Sequence, residues 1–198
     1  MVSEKCVVLA LRKVMADIEN PELQKFYEKN NIDPDDMGYI GSGEFGEAYT
    51  VGNGKVLKIT TSKSEYKYAQ EIQKGKYDGF TTIYDTAEIK IPTQIGSYYI
   101  VMEELEQDQD DETMFYEVRN LLETQGLPVQ YISHFDEGDY VEEHGEIEPN
   151  ILKFMNELDN IATDYRRLGI EASDIQPDNI GRDSKGKLKA FDIDNKDR

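Results

Sequence analysis

The chain has 198 residues, 38% of them apolar, and a formal net charge of −19. That is enough for one folded unit, with one or two lobes, and the composition is globular rather than disordered. No apolar run is long enough to span a bilayer, and Met1 to Asn20 lack the basic start, unbroken apolar stretch and cleavage site of a signal peptide.

The single cysteine, Cys6, excludes an intrachain disulfide framework and a cysteine-rich zinc site, and reads as a partly buried helix residue. These features point to a reducing cytoplasm, the protein's own or that of a host. The charge is uneven. Between Glu103 and Glu148 there are sixteen acidic residues against one basic residue, Arg119, a net of −15, which leaves −4 for the rest. Such a field repels nucleic acid and anionic membrane, so neither is an expected partner. A solvated face is the plain account of it, and a docking surface for basic partners is the alternative.

In chain order, Val7, Leu11, Val14, Met15 and Ile18 form a helical stripe over residues 4 to 19. Asn20-Pro21 interrupts it, and a second short helix is predicted from Pro21 to Lys29, followed by a turn at Asp33 to Asp36. Tyr39 to Thr60 is rich in Gly, β-branched and aromatic residues, with an Asn53-Gly54 turn, which is a hairpin signature. A helix from Ser62 to Lys74 ends at Gly75, and short strands follow at Thr81 to Tyr84, Glu88 to Ile91 and Ser97 to Glu103. Helices are predicted at Thr113 to Thr124 and, after an irregular acidic stretch, along the stripe Ile151, Phe154, Met155, Leu158, Ile161, Ala162, Tyr165 and Leu168. Asn179 to Asp194 reads as strand, turn and strand. The order predicts an α+β fold of two unequal lobes.

Four motifs carry chemistry. Gly41-Ser42-Gly43-Glu44-Phe45-Gly46 is weak alone, but Glu47 to Val51 continues as strand, whereas a dinucleotide fingerprint would open a helix. A glycine loop between strands can cover phosphates with backbone N–H groups, with Phe45 at its tip. Lys58 is centred in the apolar strand Val56 to Ile59, one hairpin later, where a cation can reach α- and β-phosphates; an ordinary solvent-facing strand lysine is the plain alternative. Asp174 and Asn179 lie five residues apart on a loop fixed by Pro177. Asp174 can accept a hydroxyl proton and the Asn179 amide oxygen can ligate a metal, against the plain reading of an Asx turn. In Phe191-Asp192-Ile193-Asp194, Asp192 can supply a hard oxygen to Mg²⁺; Asp194 either assists it or is a solvated acid.

In order and spacing these motifs resemble the protein kinase superfamily, including its aminoglycoside phosphotransferase branch, over roughly Gly38 to Asp194. The resemblance implies a minimal two-lobed kinase-like fold: an N-terminal helical extension over 1–37, a small nucleotide-binding lobe and hinge over 38–105, and a reduced helical large lobe over 106–198. By resemblance Asp174 is the catalytic base, Asn179, Asp192 and by extension Asp194 hold Mg²⁺, Lys58 grips the phosphates, and residues 41–46 form the nucleotide lid. Glu103 and Leu105 would bind adenine through the backbone, with Met102 as gatekeeper. Glu65 or Glu71 would orient Lys58, with Glu65 favoured although it also suits a capping box with Ser62.

Three departures stand out. Ala172-Ser173 precedes Asp174 where His-Arg is usual, Gln176 replaces the loop lysine of Ser/Thr kinases, and Asp194 stands where glycine is expected. With Arg198 as the last residue, the resemblance also implies no activation segment and no regulation through one. The expected function is ATP- and Mg²⁺-dependent phosphoryl transfer to a hydroxyl, Ser or Thr on a protein acceptor. The alternatives are a pseudokinase that binds nucleotide and partners without turnover, AMP transfer, and phosphorylation of a small molecule.

Overall fold

The computed structural model describes residues 20–90, 97–170 and 175–192. The apolar stripe from Val7 to Ile18 lies outside the described residues, as do Asp174 and Asp194. The described chain has the α+β composition expected from the sequence. It divides into two compact units, one running to Gln70 and resuming at Ile83–Glu103, the other comprising Glu71–Thr82 and the chain from Glu104 onward.

The first unit is built on one antiparallel sheet. Strands β1 (Gly38–Ser42), β2 (Gly46–Thr50), β3 (Lys55–Thr60), β4 (Ile83–Ile89) and β5 (Ser97–Glu103) stand in the order β1-β2-β3-β5-β4. The β2–β3 turn needs positive φ at Gly52, Asn53 and Gly54, which two glycines and an asparagine adopt at little cost. Helix α1 (Pro21–Asn30) starts where the Asn20 side chain accepts the N–H groups of Glu22 and Leu23, and Pro21 fits the first helical position. Its Leu23, Phe26 and Tyr27 join Leu57, Tyr99 and Val101 of the sheet in one buried cluster. Asn30 and Lys29 close that junction from the helix end, both binding Asp85 Oδ2, at 2.9 Å and 2.8 Å.

The sequence pattern splits one strand in two. The segments predicted at Thr81 to Tyr84 and Glu88 to Ile91 overlap the start and the end of one strand, β4, whose register shifts between Ile83 and Asp85; Ile91 lies outside the described residues. That irregularity breaks the inside–outside alternation on which the sequence reading relied. Helix α2 (Lys63–Lys74) follows β3. Tyr66, near its start, stacks on Tyr98 of β5 with centroids 4.6 Å apart. The division between the units falls within α2, between Gln70 and Glu71.

The second unit contains α3 (Gln109–Thr124), α4 (Glu137–His144), α5 (Pro149–Leu168) and the hairpin of β6 (Ile180–Arg182) with β7 (Leu188–Ala190). The apolar stripe of α5 is its buried face: Phe154, Met155, Leu158, Ile161, Ala162 and Tyr165. Gly169, at φ 73°, ends the helix, and the Ile170 N–H returns to the Tyr165 carbonyl. Among the described residues no helix is long and apolar enough to cross a membrane.

Candidate nucleotide and metal residues

In the first unit, the glycine-rich segment joins β1 to β2, as a strand–loop–strand. The loop is closed by the Gly43 N–H, which donates to the Gly46 carbonyl at 2.9 Å. The carbonyl of Phe45 accepts the Thr61 N–H at 2.7 Å and the hydroxyls of Thr61 and Thr60. The three glycines are not equivalent. A Cβ on Gly46 would run into the Ile59 carbonyl, so close packing of β2 on β3 demands glycine there. At Gly41 and Gly43 no atom of the described residues lies within 4 Å of a built Cβ, and neither φ is positive. Local packing therefore leaves their lack of a side chain unexplained. Ser42, between them, and Glu44, after Gly43, are exposed.

Lys58 sits in the middle of β3, opposite Ala48 of β2 and Ile100 of β5. Its ammonium forms an ion pair with the Glu65 carboxylate of α2, and both side chains are largely shielded, at 17% and 4% exposure. Glu65 reaches Lys58 because the helix start is capped without its carboxylate. Ser62 Oγ accepts the Glu65 N–H at 3.2 Å, and the Ser62 N–H donates to Thr60 Oγ1 at 3.0 Å. Glu71 pairs instead with Lys74, three residues on, at 3.2 Å on an exposed surface. Met102 is buried in β5 between Val56 and Ile83, and Glu103 pairs in register with Lys55. The division between the units falls just after Glu103.

In the second unit, Leu105 leads into a bridge in which Glu106 and Arg182 exchange backbone hydrogen bonds of 2.9 Å and 2.7 Å. Gly181 is required there, since a Cβ would meet the Glu106 carbonyl at 2.9 Å. Asn179 ends a short 3-10 turn, Pro177–Asn179, and starts the β6–β7 hairpin. Its carbonyl accepts the Phe191 N–H at 3.1 Å, next to the register pair Ile180 and Ala190. Asn179 and Asp192 thus lie at one end of the same hairpin, both half-buried. The backbone of Asp192 is held by the Tyr165 hydroxyl at 3.2 Å.

The far end of that hairpin is organised by Asp183. Its carboxylate accepts the N–H groups of Lys185 and Lys187 and pairs with Lys189 at 3.0 Å. Burial pushes this carboxyl up, but those hydrogen bonds and the Lys189 ammonium prevail and hold it below the usual carboxylate range. In the first unit Asp85 behaves alike: burial opposes its ionisation, yet Lys29 and Asn30 keep it below that range.

Sequence reasoning missed Thr60 and Thr61, which fix the loop carbonyl, and Asp164, a buried carboxylate on α5. Asp164 Oδ2 accepts the Gly79 N–H at 2.8 Å, and Oδ1 pairs with Arg167 at 2.6 Å. Gly79 in turn accepts the Ala190 N–H through its carbonyl at 2.8 Å. The signal was present: Asp164 lies three residues after Ile161 and four before Leu168, within the apolar stripe.

A divalent cation is a matter of donor chemistry here. Among the described residues no cluster of three or more His, Cys, Asp or Glu side chains is arranged to hold a metal. The Asn179 amide oxygen and the Asp192 carboxylate are hard donors at one hairpin end. They fit Mg²⁺, which commonly takes one or two protein oxygens and completes its shell with phosphate and water.

No family model matches the chain, and no curated protein matches it. Among solved structures, that of Rad53 1-466 in complex with AMP-PNP is similar at 19% identity and a TM-score of 0.45. The similarity covers 88% of this chain and 43% of that one, so the chain spans less than half the length of that neighbour.

Proposed function

We propose that the protein is an ATP-dependent phosphotransferase that transfers the γ-phosphoryl group to a hydroxyl of a protein acceptor. The observation that supports this best is the Lys58–Glu65 pair, with its lysine in the second strand after a glycine loop and its glutamate in the next helix. A shielded lysine held by a carboxylate is a fixed cation suited to α- and β-phosphates. Gly41 and Gly43, glycines without a packing reason, leave the loop backbone open to phosphate oxygens.

Asn179 and Asp192 would hold Mg²⁺, which supplies charge neutralisation on the phosphates. Asp174 accepts the proton of the acceptor hydroxyl. The new P–O bond to that oxygen forms as the bond from the γ-phosphorus to the β–γ bridging oxygen breaks, with ADP leaving. Adenine would be read by the backbone at Glu103 and Leu105, with Met102 behind it. Lys58, Glu65 and the metal ligands contribute position and charge rather than covalent chemistry.

Parallel incubation with γ-labelled and α-labelled ATP, with Mg²⁺ and a cell lysate as acceptor, tests the reading. Label from the γ-position alone is expected on protein, and none when Asp192→Ala is used. Label from the α-position would replace phosphoryl transfer by AMP transfer. Binding of ATP without any transfer would leave a nucleotide-binding module in place of an enzyme.

A further inference from the structure

The ladder between β2 and β3 ends at the register pair Gly46 and Thr60. One residue beyond it, three donors converge on the Phe45 carbonyl at the tip of the glycine loop. They are the Thr61 N–H at 2.7 Å, the Thr61 hydroxyl at 3.0 Å and the Thr60 hydroxyl at 3.3 Å. Pairing of two strands supplies such a carbonyl with one backbone donor, so the two hydroxyls are additional. Thr60 is fully buried, and its oxygen also accepts the Ser62 N–H at 3.0 Å, at the start of α2. Thr61 is exposed. All of these residues lie in the first unit.

Holding that carbonyl orients the amide that follows it. A trans peptide is planar, with its carbonyl and the next N–H on opposite sides. Strand β2 lies between β3 and β1. Turning the Phe45 carbonyl towards β3 therefore turns the Gly46 N–H towards β1, on the inner side of the loop. The Gly46 carbonyl faces that way too, where it accepts the Gly43 N–H. Glycine alone leaves such a peptide free to turn over, and the hydroxyls oppose this. We propose that Thr60 and Thr61 are positioning residues for the nucleotide. Their hydroxyls hold the Phe45–Gly46 peptide so that the Gly46 N–H is aimed at a phosphate oxygen. Thr60 also ties this peptide to the start of the helix whose Glu65 pairs with Lys58. The inference rests on the reading of the glycine loop as a nucleotide lid, and extends it to two side chains that touch no ligand themselves.

The test titrates the isotope-labelled full chain with ATP and Mg²⁺, read by the NMR resonance of the Gly46 amide and by calorimetry. In the native protein ATP should move the Gly46 amide proton downfield. Thr61→Val removes an exposed hydroxyl and keeps a branched side chain; it should cut this shift by about half and weaken ATP about fivefold. Thr60→Val with Thr61→Val should abolish the shift and weaken ATP about tenfold or more. Thr61→Ser keeps the hydroxyl and should stay within about twofold of the native affinity. If the double variant fails to fold by circular dichroism, Thr61→Val alone decides. A shift of native size in Thr61→Val, or equal loss in Thr61→Ser and Thr61→Val, overturns the inference. ATP binding that moves other amides and leaves Gly46 in place overturns it as well, while the nucleotide reading stands. No ATP binding by the native protein overturns both.

Discussion

Lys58 and Glu65 pair across the strand–helix junction of the first unit with little exposure to water. Removing Glu65 takes from the Lys58 ammonium a carboxylate that balances it in a poorly solvated place. Glu65→Ala is therefore expected to cost about 3–5 kcal/mol, and Lys58→Met with Glu65→Leu much less, because the double change removes both charges. Glu71→Ala breaks only the exposed pair with Lys74 and should cost less than about 1 kcal/mol. Urea denaturation of the four proteins checks this; equal costs at Glu65 and Glu71 would remove the pair from the account of the fold.

The glycines separate packing from ligand binding. Gly46→Ala should destabilise the protein, since its methyl group meets the Ile59 backbone, which cannot swing aside. Gly41→Ala and Gly43→Ala meet open space and should leave the melting temperature within about 2 °C. If these two glycines serve phosphate approach, both variants should nonetheless weaken ATP binding, measured by calorimetry, about tenfold. Unchanged ATP affinity in both would remove the loop from the nucleotide site.

Much of this was legible in the sequence, and the parts that were not have identifiable causes. The β2–β3 hairpin, the α5 stripe and the terminal hairpin were readable because alternation, helical spacing and Asn-Gly or Gly turns carry direct signals. Helix α3 begins four residues before the predicted Thr113, because its first turn is acidic and is set by the Asp108 cap rather than by apolar spacing. Helix α4 went unread because none of its residues is buried, so it has no apolar stripe. The pairing of Lys58 with Glu65 depended on which group satisfies the Ser62 N–H, and the sequence left open that Thr60 does so.

Acid should weaken both units through their held-down carboxylates. Asp85 and Asp183 lose protons more readily folded than unfolded, so their contribution is fully present above the ordinary carboxylate pKa of about 3.9 and fades as pH falls through the lower folded values. The urea midpoint of the native protein should therefore drop from about pH 5 downward. Asp85→Asn with Asp183→Asn should start less stable at neutral pH and fall less steeply. A pH profile of the same slope in that variant would assign the acid sensitivity to other groups.

The buried carboxylate of Asp164 gives the sharpest contrast between hydrogen bonding and charge. It has two partners of unequal weight: the Gly79 N–H, buried at 2.8 Å, and Arg167, whose side chain is 53% exposed. An exposed cation contributes little to such a pair, whereas a buried N–H left without an acceptor costs about 1–3 kcal/mol. Asp164→Asn keeps an oxygen for Gly79 and gives up only the charge, so it should cost about 1 kcal/mol or less. Asp164→Ala removes the acceptor and should cost about 1–3 kcal/mol. Because the Gly79 carbonyl also receives the Ala190 N–H, the loss should spread to β7, and the Ala190 amide should exchange with solvent faster in Asp164→Ala than in Asp164→Asn. Hydrogen exchange and urea denaturation of the two variants measure both effects. Equal destabilisation by Asn and Ala would mean that the ion pair with Arg167, not the bond to Gly79, is what fixes this segment to α5.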